Sequence, residues 1–260
     1  MTLEESRLYI FIATIALLAL FEFIIPIFSD YKHRLWRWTT NFSLSFISVA
    51  ILRFSFPFLA AGFATLMETH NIGLFNWLGL QGVTVIIISV LLLDVGIYGQ
   101  HVLSHKIPIL WRLHRLHHSD TQMDLSTAVR FHPIEIIFSM LFKFVLIAIL
   151  GTPAIAVVIF ELILSSGALF NHSNIRFSKK VDKWLQKIIV TPNMHRIHHS
   201  DNPVETDSNY GFSITLWDKI FNSYTENFDA DYKVNTGLKV SDKQETHKII
   251  WALKFPFSKN

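Results

Sequence analysis

The sequence predicts an all-α integral membrane protein with four to five transmembrane helices and a cytoplasmic helical cap. Of its 260 residues, 51% are hydrophobic and only 17% are charged, whereas ordinary soluble domains have roughly 25% charged residues. The charges are scarce in long apolar stretches, and a membrane span needs about 20 such residues because lipid cannot satisfy backbone polar groups. The chain contains no cysteine, which excludes disulfides, thiolate metal sites and a cysteine nucleophile.

Five apolar stretches are predicted to be helices, in chain order 8–28, 43–67, 75–98, 134–150 and 152–170. The interval 71–93 carries no charge, and the first two stretches carry one each, Glu22 and Arg53. The last two are separated by Gly-Thr-Pro at 151–153, which is too short for a domain, so they are predicted to form a tight hairpin.

The helices divide the chain into three predicted parts. Residues 1–93 form the N-terminal transmembrane helices, 94–225 form a domain that includes the hairpin at 134–170, and 226–260 form a C-terminal cytoplasmic tail.

The distribution of Lys and Arg predicts how the helices are oriented. Basic residues follow the first, third and last stretches, whereas the loop near Glu68 has none. Cytoplasmic loops carry the excess of Lys and Arg. The protein is therefore expected to cross the membrane several times, with most of its histidines and its C-terminus on the cytoplasmic side. The net charge of +3 is too small to favour nucleic-acid binding.

Ten of the 13 histidines form a pattern that is typical of metal sites. Three boxes and two single residues supply them: His101 and His105; His114, His117 and His118; His195, His198 and His199; and His132 and His172. Residues at i, i+3 and i+4 of a helix share a face, so each box presents its imidazoles in one direction. Imidazole binds first-row transition metals, and ten exceed the needs of one ion. The pattern therefore predicts a histidine-rich site for two metal ions.

The second box and its flank, residues 114–120, recur as 195–201 with a single Leu-to-Ile difference. The same arrangement of histidines therefore occurs twice in the chain. The remaining histidines, His33, His70 and His247, are isolated and are interpreted as ordinary capping or core residues.

Polar residues near the boxes are expected to orient the metal-binding histidines by hydrogen bonding. The candidates are Asp94, Asp120, Asn174 and Asp201. For Asp94, two helical turns before His101, a water-facing carboxylate is an equal alternative. Glu161 either lines a substrate route or pairs with Lys143, and the sequence leaves both open.

The spacing of the boxes resembles that of the fatty acid hydroxylase and sterol desaturase superfamily, whose members are integral-membrane di-iron oxygenases. The resemblance covers residues 94–224. It extends to flanking elements: Asp94-x-x-x-Tyr98, Arg130-Phe-His-Pro-Ile-Glu135, Asn171-His172-Ser-Asn174, Thr191-Pro192, Asn209-Tyr210-Gly211 and Trp217-Asp218. One departure is Val102, where the superfamily often has Arg after the first histidine.

The resemblance implies two iron ions, which zinc can replace on purification. By similarity, one ion is held by His101, His105, His114, His117 and His198. The other is held by His118, His195 and His199, with His172 and His132 completing it. The implied activity is O2-dependent hydroxylation, or desaturation, of an unactivated C–H bond in a lipid.

Electrons are expected from a separate reductase and a small redox carrier. The sequence has neither a Gly-x-Gly-x-x-Gly nucleotide fingerprint nor cysteine for an iron–sulfur cluster. The basic segment 176–187 could attract an acidic carrier, although a role as a positive-inside anchor is favoured.

The alternative function is a membrane metal-ion transporter or metal sensor. Transport sites lie near the bilayer midplane, whereas the boxes are predicted to lie outside the apolar spans, which favours catalysis. Sterols, fatty acyl chains, alkylglycerols and carotenoid-like molecules remain open as substrates, and hydroxylation is favoured over desaturation.

Overall fold

The computed structural model describes residues 3–29, 33–226, 234–239 and 245–258. Within these ranges the chain is helical and contains isolated β-bridges but no strands. The helices of the first two thirds are α1 Leu3–Ile24, α2 Arg34–Ser55, α3 Ala60–Thr69, α4 Leu74–Trp77, α5 Val83–Lys106, α6 Pro108–His118, α7 Pro133–Leu150 and α8 Ala154–His172. Shorter helices follow: α9 Lys179–Leu185, α10 Pro192–His198, α11 Pro203–Thr206, α12 Leu216–Ile220 and α13 Ile249–Lys254. In the predicted tail at 226–260, residues 227–233, 240–244 and 259–260 lie outside the described residues.

Five segments are long and apolar enough to cross a membrane: Ser6–Ile24, Arg34–Trp77, Val83–Lys106, Pro133–Leu150 and Ala154–His172. Their outer faces expose large apolar side chains, such as Phe46 and Phe54, which suits contact with lipid. The prediction of an all-α, multi-pass membrane protein is confirmed. The α7–α8 hairpin forms where the sequence predicts it, and Gly151 ends α7 in the left-handed conformation with φ 68°.

The second and third helices differ from their predicted limits of 43–67 and 75–98. Helix α2 starts earlier and ends at Ser55, because Pro57 follows and cannot continue the helical hydrogen bonds. Helix α5 starts only after Gly82 and runs to Lys106. The first histidine box therefore lies in the last two turns of a membrane-spanning segment, and not outside the apolar spans as predicted.

A buried ion-pair network joins α2 to the chain that follows α6. Arg37 donates to both carboxylate oxygens of Asp120, each at 2.8 Å, and to Asp124 at 2.9 Å. Burial alone would raise the pKa of Asp120, but the Arg37 guanidinium holds it well below its usual range. Because α6 carries the second histidine box, this network fixes the end of that helix against α2.

We expect Arg37→Met to destabilise the protein strongly. The substitution removes the guanidinium that is bonded to two buried carboxylates, and loss of one partner of a buried ion pair typically costs about 3–5 kcal/mol. The melting temperature of the detergent-solubilised protein should fall by roughly 6–12 °C. Lys180→Met removes an exposed cation and should change it by less than about 2 °C. Equal melting temperatures for the two variants would contradict a stabilising role of the network.

Candidate metal centre

Nine of the ten predicted histidines converge in two buried groups whose ligand nitrogens lie within 4.8 Å of one another. The first cluster comprises His101, His105, His114, His118 and His198. The second cluster comprises His117, His172, His195 and His199. Four different elements, α5, α6, α8 and the α10 region, supply these side chains. The fold thus brings distant parts of the sequence to one place.

The second and third boxes each divide between the two clusters in the same manner. The first and last histidines of a box lie four residues apart on one face of a helical turn, and they share a cluster. The middle histidine is turned toward the other cluster. As a result His117 joins the third box, and His198 joins the second.

This division corrects the grouping that the resemblance implied for two residues. His117 was grouped with His101 and His118 with His195, whereas the structure places His118 in the first cluster and His117 in the second. The reason is the helical repeat, since His118 and not His117 lies one full turn after His114.

The separations between the imidazole nitrogens fit the ligand shell of a metal ion. Nε2 of His101 lies 3.1 Å from Nε2 of His114 and 3.1 Å from Nε2 of His198. In the second cluster, Nε2 of His172 lies 3.0 Å from that of His117 and 3.1 Å from that of His195. Metal–nitrogen bonds of about 2.0–2.1 Å place adjacent ligand nitrogens roughly 3.0–3.4 Å apart.

Backbone carbonyls determine which ring nitrogen faces the cluster. Nδ1 lies 2.7 Å from a carbonyl oxygen in three cases: His101 with Tyr210, His198 with Ser208, and His172 with Ala168. A carbonyl only accepts, so each Nδ1 carries the proton and each Nε2 presents a lone pair. The Nε2 lone pairs of His101 and His198 therefore face each other, and a cation between them would satisfy both.

The histidines outside the membrane spans are held in the neutral form that binds metal. Burial lowers the pKa of His114 to about 3. Burial, assisted by the neighbouring imidazoles, also lowers the pKa values of five others well below the ordinary range: His117, His118, His195, His198 and His199.

The sequence does not single out Glu135, although it lies in one of the flanking motifs. Its Oε1 accepts a hydrogen bond from Nδ1 of His114 at 2.6 Å. A carboxylate on the far nitrogen of a metal-binding histidine fixes the ring and raises its basicity. The sequence signal that could have indicated it is an acidic residue in the first turn of a mostly apolar helix.

The four residues expected to orient histidines have other partners. Asp94 accepts from Nε1 of Trp217 at 2.7 Å, and Asp120 binds Arg37. Asn174 exchanges hydrogen bonds with the backbone of Phe28, and Asp201 is half-buried, with its backbone N–H donating to Asn235. Among the described contacts, none of the four hydrogen-bonds to a histidine. They hold the scaffold around the site.

His132 lies outside both clusters. Its Nδ1 accepts from the backbone N–H of Ile134 at 3.2 Å and caps the start of α7. Local capping accounts for this residue, so its expected place among the ligands has no geometric support.

The flanking motif around Tyr210 supports the metal site through hydrogen bonds to its backbone. Asp218 accepts from the backbone N–H groups of Tyr210 at 2.8 Å and of Gly211 at 2.9 Å. These bonds hold the turn whose Tyr210 carbonyl accepts from His101. The Phe212 ring then stacks on the imidazole of His101, with 4.6 Å between centroids.

A cavity of about 500 Å³ leads from the first cluster into the helical bundle. His101, His114 and Glu135 line one end. Apolar side chains of α2, α5, α7 and α8, among them Leu52, Ile97, Met140 and Leu164, line its middle. Its volume is within the range of small-molecule sites, roughly 300–1,000 Å³.

Comparisons with known proteins identify the family. The fatty acid hydroxylase family model matches residues 86–223, more than half of the chain, and this chain belongs to that family. It is 25% identical over 224 residues to an ornithine lipid hydroxylase, OlsE, of Rhizobium tropici, covering 83% of this chain and 66% of the relative.

Alkylglycerol monooxygenases are also similar to this chain. The Danio rerio protein is 32% identical over 177 residues, covering 62% of this chain and 34% of the relative. The Homo sapiens protein is 32% identical over 132 residues, covering 50% and 28% respectively. The chain thus spans about two thirds of the bacterial relative and about a third of the animal ones. No solved structure gives a significant match.

We predict that the chelator-treated protein loses stability as the pH falls below about 6.5, the ordinary pKa of histidine. The pKa values of the clustered histidines outside the membrane spans are lowered in the folded state, so the unfolded chain binds more protons below that pH. Stability is therefore complete above pH 6.5 and declines as the pH drops toward 3.

Melting temperatures between pH 8 and pH 5 test this expectation. Each buried histidine contributes up to about 1.4 kcal/mol per pH unit, so the decline should be steep. The His70→Ala variant, altered at an exposed histidine, should show the same slope. A melting temperature that does not change across this interval would argue against neutral, buried clusters.

Proposed function

We propose that this protein is a membrane-bound di-iron oxygenase that hydroxylates an unactivated C–H bond of a lipid. The observation that carries the proposal is that the first imidazole cluster borders a largely apolar cavity through His101 and His114, with the second cluster beside it. Membership of a family whose relatives are lipid hydroxylases and monooxygenases supports it.

The proposed ligands are the nine clustered histidines, with one iron ion in each cluster. The donor set supports this choice, since neutral imidazoles suit iron and other first-row metals. When bound, the iron pair supplies the activation of O2 that C–H oxidation requires. The overall reaction consumes the lipid, O2, two electrons and two protons, and yields the alcohol and water.

The residues around the clusters keep the reaction centre dry and rigid. Phe131 stacks on His117 with ring centroids 4.4 Å apart, and Phe212 covers His101. Glu135 holds the ring of His114, while the Tyr210 carbonyl holds that of His101. A water-excluded site prevents side reactions of oxidising chemistry, and fixed imidazoles preserve the ligand geometry.

The cavity suggests how a lipid reaches the site. It lies among the membrane-spanning helices, with Phe11 of α1 in its wall, so a hydrocarbon chain can enter from the bilayer without crossing water. The similarity to an ornithine lipid hydroxylase and to alkylglycerol monooxygenases favours a lipid that combines a polar head with a hydrocarbon chain, and it favours hydroxylation.

Electrons are proposed to come from a separate reductase and carrier. The exposed side chains of Lys179, Lys180 and Lys187 form a basic face near α9 that suits an acidic carrier. The histidine clusters and this face are proposed to lie on the cytoplasmic side, as the distribution of Lys and Arg indicates.

Labelling with 18O2 tests the function. Membranes containing the protein and a reductase system should produce a lipid alcohol that carries one 18O atom, detected by mass spectrometry. His198→Ala and His117→Ala, one from each cluster, should each lower product formation at least about a hundredfold, because ligand loss removes the metal chemistry.

His70→Ala is the matched control and should retain full product formation, since His70 is exposed. If metal flux into vesicles depends on His117 and His198 while no lipid gains 18O, the protein is a transporter and the proposed function is wrong.

A further inference from the structure

Two short helices outside the five membrane-crossing segments carry an exposed apolar patch. Trp184 of α9 and Ile188 of the turn after it are each 62% exposed. Leu216 and Ile220 of α12, and Phe221 directly after it, are exposed as well. These five residues are the α9–α12 patch. Contiguous exposed apolar surface marks a contact with a protein partner or with a membrane.

The two helices form one continuous surface, because the segments around them are hydrogen-bonded to each other. The backbone N–H of Thr215 donates to the carbonyl of Ile188 at 3.1 Å. Lys219 Nζ donates to the carbonyls of Gln186 and Lys187, each at 3.1 Å. The end of α9 and the start of α12 are therefore neighbours, and the patch is a single surface.

The sides of α9 and its following turn differ in chemistry. One side is buried, and there Asp182 accepts hydrogen bonds from Nδ2 of Asn193 and Nε2 of Gln186 at 2.9 and 2.8 Å. A second side is exposed and basic, with Lys179, Lys180, Lys183 and Lys187. A third side is exposed and apolar, with Val181, Trp184 and Ile188. A lysine-rich side next to an apolar, aromatic side is typical of a helix that lies in a membrane interface.

Contacts between α12 and α5 give the level of the patch relative to the membrane. Nε1 of Trp217 donates to Asp94 at 2.7 Å, and the rings of Phe221 and Tyr98 stack with 5.4 Å between centroids. A span of about 20 residues that starts with α5 at Val83 ends about four residues after Tyr98 and about eight after Asp94. At 1.5 Å per residue, both contacts lie about 6–12 Å inside the end of the span. Interfacial helices insert to a similar depth, roughly 5–10 Å.

The position of the patch favours lipid over a protein partner. Leu91 lies seven residues before Tyr98, on the same face of α5, and is exposed. The patch therefore continues a surface that already faces lipid. A protein partner at this level would have to displace the lipid headgroups beside α5.

We propose that the α9–α12 patch is embedded in the membrane interface at the end of α5 that carries the first histidine box, with the basic side of α9 at the headgroups. This inference goes beyond the proposed reaction and does not depend on it. The bond between Asp182 and Asn193 joins α9 to α10. The membrane contact therefore holds the third histidine box beside the lipid.

Site-directed spin labelling tests this placement. The chain contains no cysteine, so Ile188→Cys and Ile220→Cys each create one labelling site. The labelled variants are reconstituted into vesicles of phosphatidylcholine and phosphatidylglycerol. Power-saturation EPR then measures how often the nitroxide collides with O2, which concentrates in hydrocarbon, and with a water-soluble nickel complex, which hydrocarbon excludes.

Lys183→Cys and Phe46→Cys are the matched controls. Lys183 is 76% exposed on the basic side of α9, and Phe46 is exposed on the membrane-crossing helix α2. The ratio of O2 to nickel collisions should be at least about threefold higher at the Ile188 and Ile220 positions than at Lys183, because the apolar side of an interfacial helix enters the hydrocarbon. It should not exceed the ratio at Phe46.

Two results would overturn the inference. Equal ratios at the Ile188, Ile220 and Lys183 positions would place the patch in water. Low collision rates with both reagents at Ile188 and Ile220 would show that protein covers the patch, from a second copy or another part of the chain. If one of these variants does not fold, Leu216→Cys provides the same test from α12.

Discussion

The structure depends on a set of neutral imidazoles whose lone pairs point at one another. Nε2 atoms of His101 and His198 face each other at 3.1 Å while their Nδ1 protons are engaged by carbonyl oxygens. Such an arrangement is unfavourable without a cation, since two acceptors approach with no proton between them. Metal binding and folding are therefore expected to be coupled.

The surrounding fold can be understood as the support for this arrangement. Arg37 anchors the segment after α6 through Asp120, and Asp218 anchors the turn at Tyr210. Each of these two carboxylates acts on an imidazole indirectly, by fixing the backbone of a neighbouring segment. Glu135, in contrast, hydrogen-bonds to His114 directly. Ligands held rigidly in this way fix the geometry of a metal site more precisely than ligands on loops do.

The spacing of residues in the sequence predicted the helical membrane architecture and the histidines that converge. It did not predict how these histidines divide between the two clusters. The apolar stretches and the boxes depend on local periodicity, which a single sequence displays. The helical repeat places His118 beside His114, but the partners that His117 meets in the other cluster depend on how α6 packs against α8 and the α10 region. Asp94 illustrates the same limit, because its partner Trp217 is 123 residues away. Pro57 indicates where α2 ends, but because the residues around it are apolar, the predicted helix was continued past it.

Anomalous diffraction at the iron absorption edge, on crystals of the iron-loaded protein, would locate the metal ions. Two anomalous peaks per chain are expected, one among His101, His105, His114, His118 and His198 and the other among His117, His172, His195 and His199. A single peak, or peaks away from these imidazoles, would contradict this expectation.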